Sequence, residues 1–163
     1  MQWSQLKKRV EQNLAESIKG KVEFFTTAYR KPNSSNGRGW ITIEGKEIIN
    51  FSTMDSRTIY GRYYNETTPD TKKRHATHIK IEPQERNEGQ LTEEGEFSRF
   101  DLHICMFESL NMTPDKMLDH DSPILQTLGI LDKRTGKRTL EKLKDRTLDN
   151  LPLFFLNYRL TNE

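Results

Sequence analysis

Four residues form the one set that could ligate a transition metal: His75 and His78, three apart, and His103 and Cys105, two apart. Zinc takes three or four nitrogen or sulfur ligands in a near-tetrahedral array. The first pair falls at a loop-to-strand junction, where strand positions three apart turn to opposite faces. Residues two apart on a helix diverge by about 200°, which separates His103 from Cys105. The pattern reads as two surface histidines, a helix-boundary histidine and a buried thiol. No metal or other cofactor is expected.

Covalent catalysis has no clearer sign. Cys105 lies between Ile104 and Met106 on the core side of a predicted helix, where a thiol is inert. No Gly-x-Ser-x-Gly, His-Glu-x-x-His or phosphate-cradling glycine loop occurs. Carboxylates are abundant, but Asp119, Asp121 and Asp132 are explained as helix-cap and helix-terminus residues. The reading is against an enzyme.

The remaining candidates are binding residues. Lys72, Lys73 and Arg74 precede His75 and follow Tyr60, Tyr63 and Tyr64. Basic residues beside exposed aromatics suit phosphate neutralisation with base stacking. A second cluster holds Lys133, Arg134, Lys137 and Arg138, followed by Lys142, Lys144 and Arg146. It lies on a helix–Gly–helix corner that superficially resembles a helix-turn-helix, although Glu141 and Asp145 interrupt it. Arg30, Arg38 and Trp40 flank a loop at strand ends, where a ring and two guanidinium groups can form a recognition patch.

The corner is framed by Ser122-Pro123, a cap followed by the residue best suited to a first helical turn. Leu125, Leu128 and Leu131 form its inward stripe, and Gly136 is expected to supply a left-handed stop. Upstream, Trp3, Leu6, Val10, Leu14 and Ile18 recur at helical spacing, predicting a helix near 4–19 with Ser4 as cap and Gly20 as stop. Residues 21–30, KVEFFTTAYR, read as a strand. A loop follows at 32–37, then two strands around a turn at Glu44-Gly45, with Ile41 and Ile43 facing the core.

Asp55 can cap a short helix, and residues 77–81 alternate as a fourth strand before Pro83. Residues 84–96 are nearly devoid of apolar side chains and are expected to be exposed. Ser98 then caps a helix whose apolar stripe is Phe100, Ile104, Phe107 and Leu110. The terminal segment holds Leu153, Phe154, Phe155 and Leu156, too apolar to be left in water. It should dock on the sheet or on a second copy of the chain.

The chain of 163 residues is sized for one domain. It divides into helix plus sheet (1–53), a variable polar segment (54–97) and a helical cluster (98–163). Eight Phe, five Tyr and two Trp argue against wholesale disorder. No apolar run approaches the roughly 20 residues that span a bilayer, and no secretory signal opens the chain. One cysteine fits a reducing compartment, so a cytoplasmic location is the default. The net charge of +2 conceals +7 over residues 1–81 and −5 over 82–163.

The runs 3–9 (WSQLKKR), Thr27-Ala28-Tyr29-Arg30-Lys31 and 37–45 (GRGWITIEG) resemble the opening of a family of small uncharacterised bacterial proteins. Gly95-Glu96-Phe97-Ser98-Arg99 with Asp101, and the run from Ser122 to Arg138, resemble its later blocks. The resemblance covers roughly 1–52 and 95–145 and leaves out 54–92. It implies a bacterial cytoplasmic protein and brings no activity with it. The expectation is an α+β fold: an N-terminal helix, an antiparallel meander of three or four strands, and a C-terminal cluster of short helices. The expected role is a non-enzymatic interaction or regulatory module that meets a protein partner or another copy of itself. Nucleic-acid binding through the basic corner is the alternative, and an unrecognised enzyme or small-ligand site comes third.

Overall fold

A computed structural model describes residues 1–28, 37–51, 83–85, 91–93, 97 and 99–163. Among these, helix α1 (Trp3–Gln12) leads into strands β1 (Val22–Ala28), β2 (Gly37–Ile43) and β3 (Lys46–Phe51). Two short strands follow, β4 (Pro83–Glu85) and β5 (Leu91–Glu93). Helices α2 (Arg99–Ser109), α3 (Pro114–Leu118), α4 (Pro123–Leu131), α5 (Lys137–Leu143) and α6 (Asn150–Asn162) complete the chain. The fold is α+β, as the pattern predicts.

The meander runs antiparallel in the order β1-β2-β3, with Phe24 opposite Ile41 and Ile41 opposite Ile49. Glu44 and Gly45 join β2 to β3 with φ of 52° and 79°. Positive φ at both positions is what a two-residue type I′ turn requires, and its twist matches that of the strands. Val22, Phe24, Ile41, Ile49 and Phe51 are buried with Leu6 and Val10 of α1 and Leu102, Cys105 and Met106 of α2. Gly39 allows this approach, because a Cβ there would lie 2.8 Å from Leu102 Cδ2.

The first helix stops at Gln12, well short of residue 19, and its cap is Gln2 rather than Ser4. The reason is a long-range pairing. Leu14 bridges Asp132 in antiparallel fashion, with Ala15 N–H donating to Leu131 O (3.0 Å) and Lys133 N–H to Asn13 O (2.7 Å). Leu14 and Ile18 are still buried, but from a turn. Gly20 has φ of 77° and ends that turn, not a helix.

Two other expectations also change. In α2 the buried face is Leu102, Cys105, Met106 and Ser109, whereas Phe107 is 46% exposed. Both sides of this helix carry apolar residues, so spacing alone picks the wrong one. Gly136 is extended (φ −79°, ψ 161°) and opens α5 instead of closing α4 by a left-handed turn. Within 84–96, Pro83–Glu85 and Leu91–Glu93 pair as an antiparallel ladder. The predicted fourth strand at 77–81, the helix after Asp55 and the cap Ser98 lie outside the described residues.

The C-terminal helices close around one side chain. Ser122 caps α4, its Oγ accepting from Leu125 N–H at 3.4 Å. Helix α6 packs on α4 rather than on the sheet, burying Leu151, Phe155 and Leu156. Its Arg159 is 2% exposed. The guanidinium donates to the carbonyls of Ile130 (2.9 Å), Asp132 (3.3 Å) and Thr135 (3.2 Å), and Nε meets the Glu163 carboxylate. These carbonyls belong to the end of α4 and the turn after it, where intrahelical donors run out. A planar five-donor fork fits this task and a lysine does not.

Arg159→Met is therefore expected to lower the free energy of unfolding by about 3 kcal/mol, because buried carbonyls lose their donors. Urea denaturation, with the exposed Lys144→Met as control, measures it. A loss no larger than the control's would contradict the bracing role.

Candidate functional site

The basic corner is largely engaged in holding its own turn. Asp132 is buried, and its carboxylate accepts from Arg134 N–H (2.8 Å), Nε (2.9 Å) and Nη2 (2.7 Å). Arg134 Nη2 also donates to Met112 O at 3.1 Å. Lys133 Nζ donates to Gln12 O (3.0 Å), at the end of α1 where a cation offsets the helix dipole. Arg146 pairs with Asp119 at 2.7 Å. Lys137 and Arg138 are exposed at the start of α5 and make no hydrogen bond or ion pair among the described residues. Helix α5 spans only seven residues and buries Leu140 and Leu143. The structure thus divides the four corner cations into two braces and two exposed charges.

A different assembly lies across the sheet. The register sets Phe25 of β1 opposite Trp40 of β2, and their rings stack with centroids 5.3 Å apart and planes within 11°. Arg38 covers the Trp40 ring at 4.1 Å and Lys7 of α1 covers the Phe25 ring at 4.1 Å. Arg38 Nη1 is in turn held by Glu47 Oε1 at 2.7 Å. The result is a four-layer column, Arg38–Trp40–Phe25–Lys7, on the face opposite Phe24 and Ile41. Each cation–π contact is worth about 0.5–1 kcal/mol at a half-exposed site. More useful is the rigidity: the rings are half-buried, with their faces covered and their positions fixed before any partner arrives.

Lys7 joins this column to a groove of about 480 Å³ between α1 and the start of β1. Trp3, Lys7, Lys8, Glu11, Lys19 and Glu23 are among the residues lining it. Lys7 reaches both Glu11 (3.5 Å) and Glu23 (4.0 Å). Glu11 Oε1 accepts the N–H of Phe24 at 3.2 Å, so a carboxylate covers the outer edge of β1. Burial pushes the Glu11 carboxyl above its ordinary range, against the Phe24 N–H and Lys7, which pull it down.

Among the described residues, those with metal-ligating or nucleophilic side chains form no cluster. His103 packs edge-on against Trp3 at 5.9 Å, and burial, then Arg99, hold its pKa below the ordinary value. Cys105 is fully buried with Sγ 3.6 Å from Ser122 Oγ. No group of three or more His, Cys, Asp or Glu suited to a metal occurs among the described residues. Arg30, Lys72, Lys73, Arg74, His75 and His78 lie outside the described residues. Of the expected patch, Arg38 and Trp40 are brought together. Phe25, Lys7 and Glu11 were missed by sequence reasoning. The signals were the Lys7–Glu11 spacing and the strand register, which becomes informative only once the pairing of β1 with β2 is known.

The fold and this surface define an α+β domain with an aromatic and cationic column beside a helix–strand groove. The model of the SF0329 protein family matches residues 2–161, and the chain belongs to that family. The match runs through 54–92, which the resemblance left out. No curated protein and no solved structure matches the chain. No helix among the described residues is long and apolar enough to cross a membrane.

Glu11 gives a pH test of the groove. An acid whose folded pKa is raised favours the folded state fully below its unfolded value, and that advantage is lost as pH rises through the folded one. Glu11→Gln keeps an acceptor for Phe24 N–H and abolishes the titration. Its melting temperature is expected to exceed that of the wild type at pH 7, with the gap closing as pH falls towards 4.5. A constant difference across that range would show that Glu11 is not buried at the strand edge.

Proposed function

We propose that the chain is a non-enzymatic interaction module of the bacterial cytoplasm, with the outer sheet face and the adjoining groove as its contact surface. The observation that carries this reading is the Arg38–Trp40–Phe25–Lys7 column. Arg and Trp are the residues most enriched where interfaces concentrate their energy, and fixed rings lose little entropy on contact. The partner class this favours is a protein. The alternative is nucleic-acid binding at Lys137 and Arg138, supported by their exposure on an ordered frame.

Immobilised protein distinguishes the two readings. The double variant Arg38→Ala with Trp40→Ala is expected to lose at least about tenfold of partner capture from host lysate, since two anchor residues go. Lys137→Glu with Arg138→Glu should retain it. Thermal melting of each variant checks that the fold persists. The opposite pattern, together with salt-sensitive binding of mixed-sequence DNA or RNA lost in the second variant, would replace the protein-partner reading with the nucleic-acid one.

A further inference from the structure

Strand β1 is an edge of the three-stranded sheet, and an edge strand offers unpaired N–H and C=O groups to any extended chain. The Phe24 N–H points away from β2, since it is the group that Glu11 Oε1 receives at 3.2 Å. Residues of a strand alternate in direction, so the N–H and C=O of Thr26 face the same way. Val22 N–H, also on that side, is taken by Ile18 O at 3.1 Å. Among the described residues, Glu11 is the group that reaches the edge beyond it, and it does so with a side chain in place of a strand. The position is not a comfortable one for a carboxylate, because burial disfavours its charge there.

We propose that the groove between α1 and β1 takes an extended acidic peptide, which adds to the edge of β1 as a further strand and displaces the Glu11 carboxylate. A peptide carbonyl then accepts the Phe24 N–H, and peptide amides and carbonyls pair with Phe24 O and Thr26 N–H. Strand addition of this kind takes its affinity from main-chain bonds and its specificity from alternate side chains. Charge complementarity selects the acids. The groove presents Lys7, Lys8 and Lys19 against Glu11 and Glu23. Lys19 is paired with Glu16 at 2.8 Å, and Lys8 makes no ion pair among the described residues. Lys8 and the released Lys7 are therefore the cations that meet the peptide. Lys7, on losing Glu11, is left with Glu23 at 4.0 Å and the Phe25 ring. A peptide carboxylate restores that pairing. Trp3, half-buried against His103, also lines the groove and offers an apolar contact. This inference rests on the interaction-module reading and names its partner as a linear segment.

The test pans phage-displayed random dodecapeptides on the whole protein and titrates the enriched peptide into isotope-labelled protein. Acidic alternating sequences are expected, with the amide resonances of Phe24 and Thr26 among those that shift most. Glu11→Ala should tighten binding several-fold by removing the competitor for the edge. Thr26→Pro, which deletes an outward N–H at a position where an edge strand tolerates proline, should weaken it at least tenfold, whereas Thr26→Val should not. Circular dichroism checks the fold of each variant, and the wild-type resonance shifts stand independently of them. No enrichment, shifts confined to other surfaces, or binding indifferent to both Glu11→Ala and Thr26→Pro would overturn the proposal and leave Glu11 as a simple cover for the edge. Loss of partner capture in the Arg38 and Trp40 variant, alongside such a failure, would leave the broader reading intact.

Discussion

A buried arginine sets the architecture of the C-terminal half. Arg159 of α6 gathers the carbonyls of Ile130, Asp132 and Thr135, so one guanidinium closes α4, shapes the turn behind it and ties both to the last helix. Burying a charge is costly unless its donors are met. Here Glu163 supplies the opposite charge and the three carbonyls take the remaining directions. The same turn is held from outside by Asp132 with Arg134 and by the Leu14 bridge. Residues 131–135 thus tie the segment just after the N-terminal helix to the helical cluster, in addition to the packing of α1 on α2.

That constraint redistributes the roles of the charged residues. Lys133 and Arg134 look on paper like the densest basic surface, yet their nitrogen atoms meet Gln12 O, the Asp132 carboxylate and Met112 O. Exposed ion pairs contribute little energy, but a buried carboxylate with three donors within 2.9 Å fixes a turn geometry. The sheet face is built differently. There the charges of the Arg38, Trp40, Phe25 and Lys7 column are turned towards rings and carboxylates instead of backbone carbonyls. A surface whose cations lie on rings and one whose cations brace a turn can carry similar charge.

Local patterns were legible to the extent that local physics decides them. The meander, the Glu44-Gly45 turn, the inward Ile41 and the Ser122-Pro123 helix start all follow from short-range rules. What failed was decided at a distance. The first helix is cut at Gln12 because Leu14 pairs with a residue far along the chain, which no helical periodicity reveals. Phe107 was assigned to the core since α2 is apolar on two sides, and only the sheet beneath chooses between them. Arg159 drew no expectation from the sequence, because the carbonyls it binds lie 24 to 29 residues away. The Arg38–Trp40 half of the column was visible as a pair of strand-end residues, but Phe25 joins it only through the β1–β2 register.

The central claim is that the sheet face, and not the basic corner, is where this chain meets its partner. Its most direct test places a photo-crosslinking amino acid at Thr27, beside Phe25, and separately at Arg138, in cells producing the protein. The account predicts a discrete partner adduct from position 27 and none from 138. An adduct from 138 with none from 27 would contradict it and make the corner the working surface.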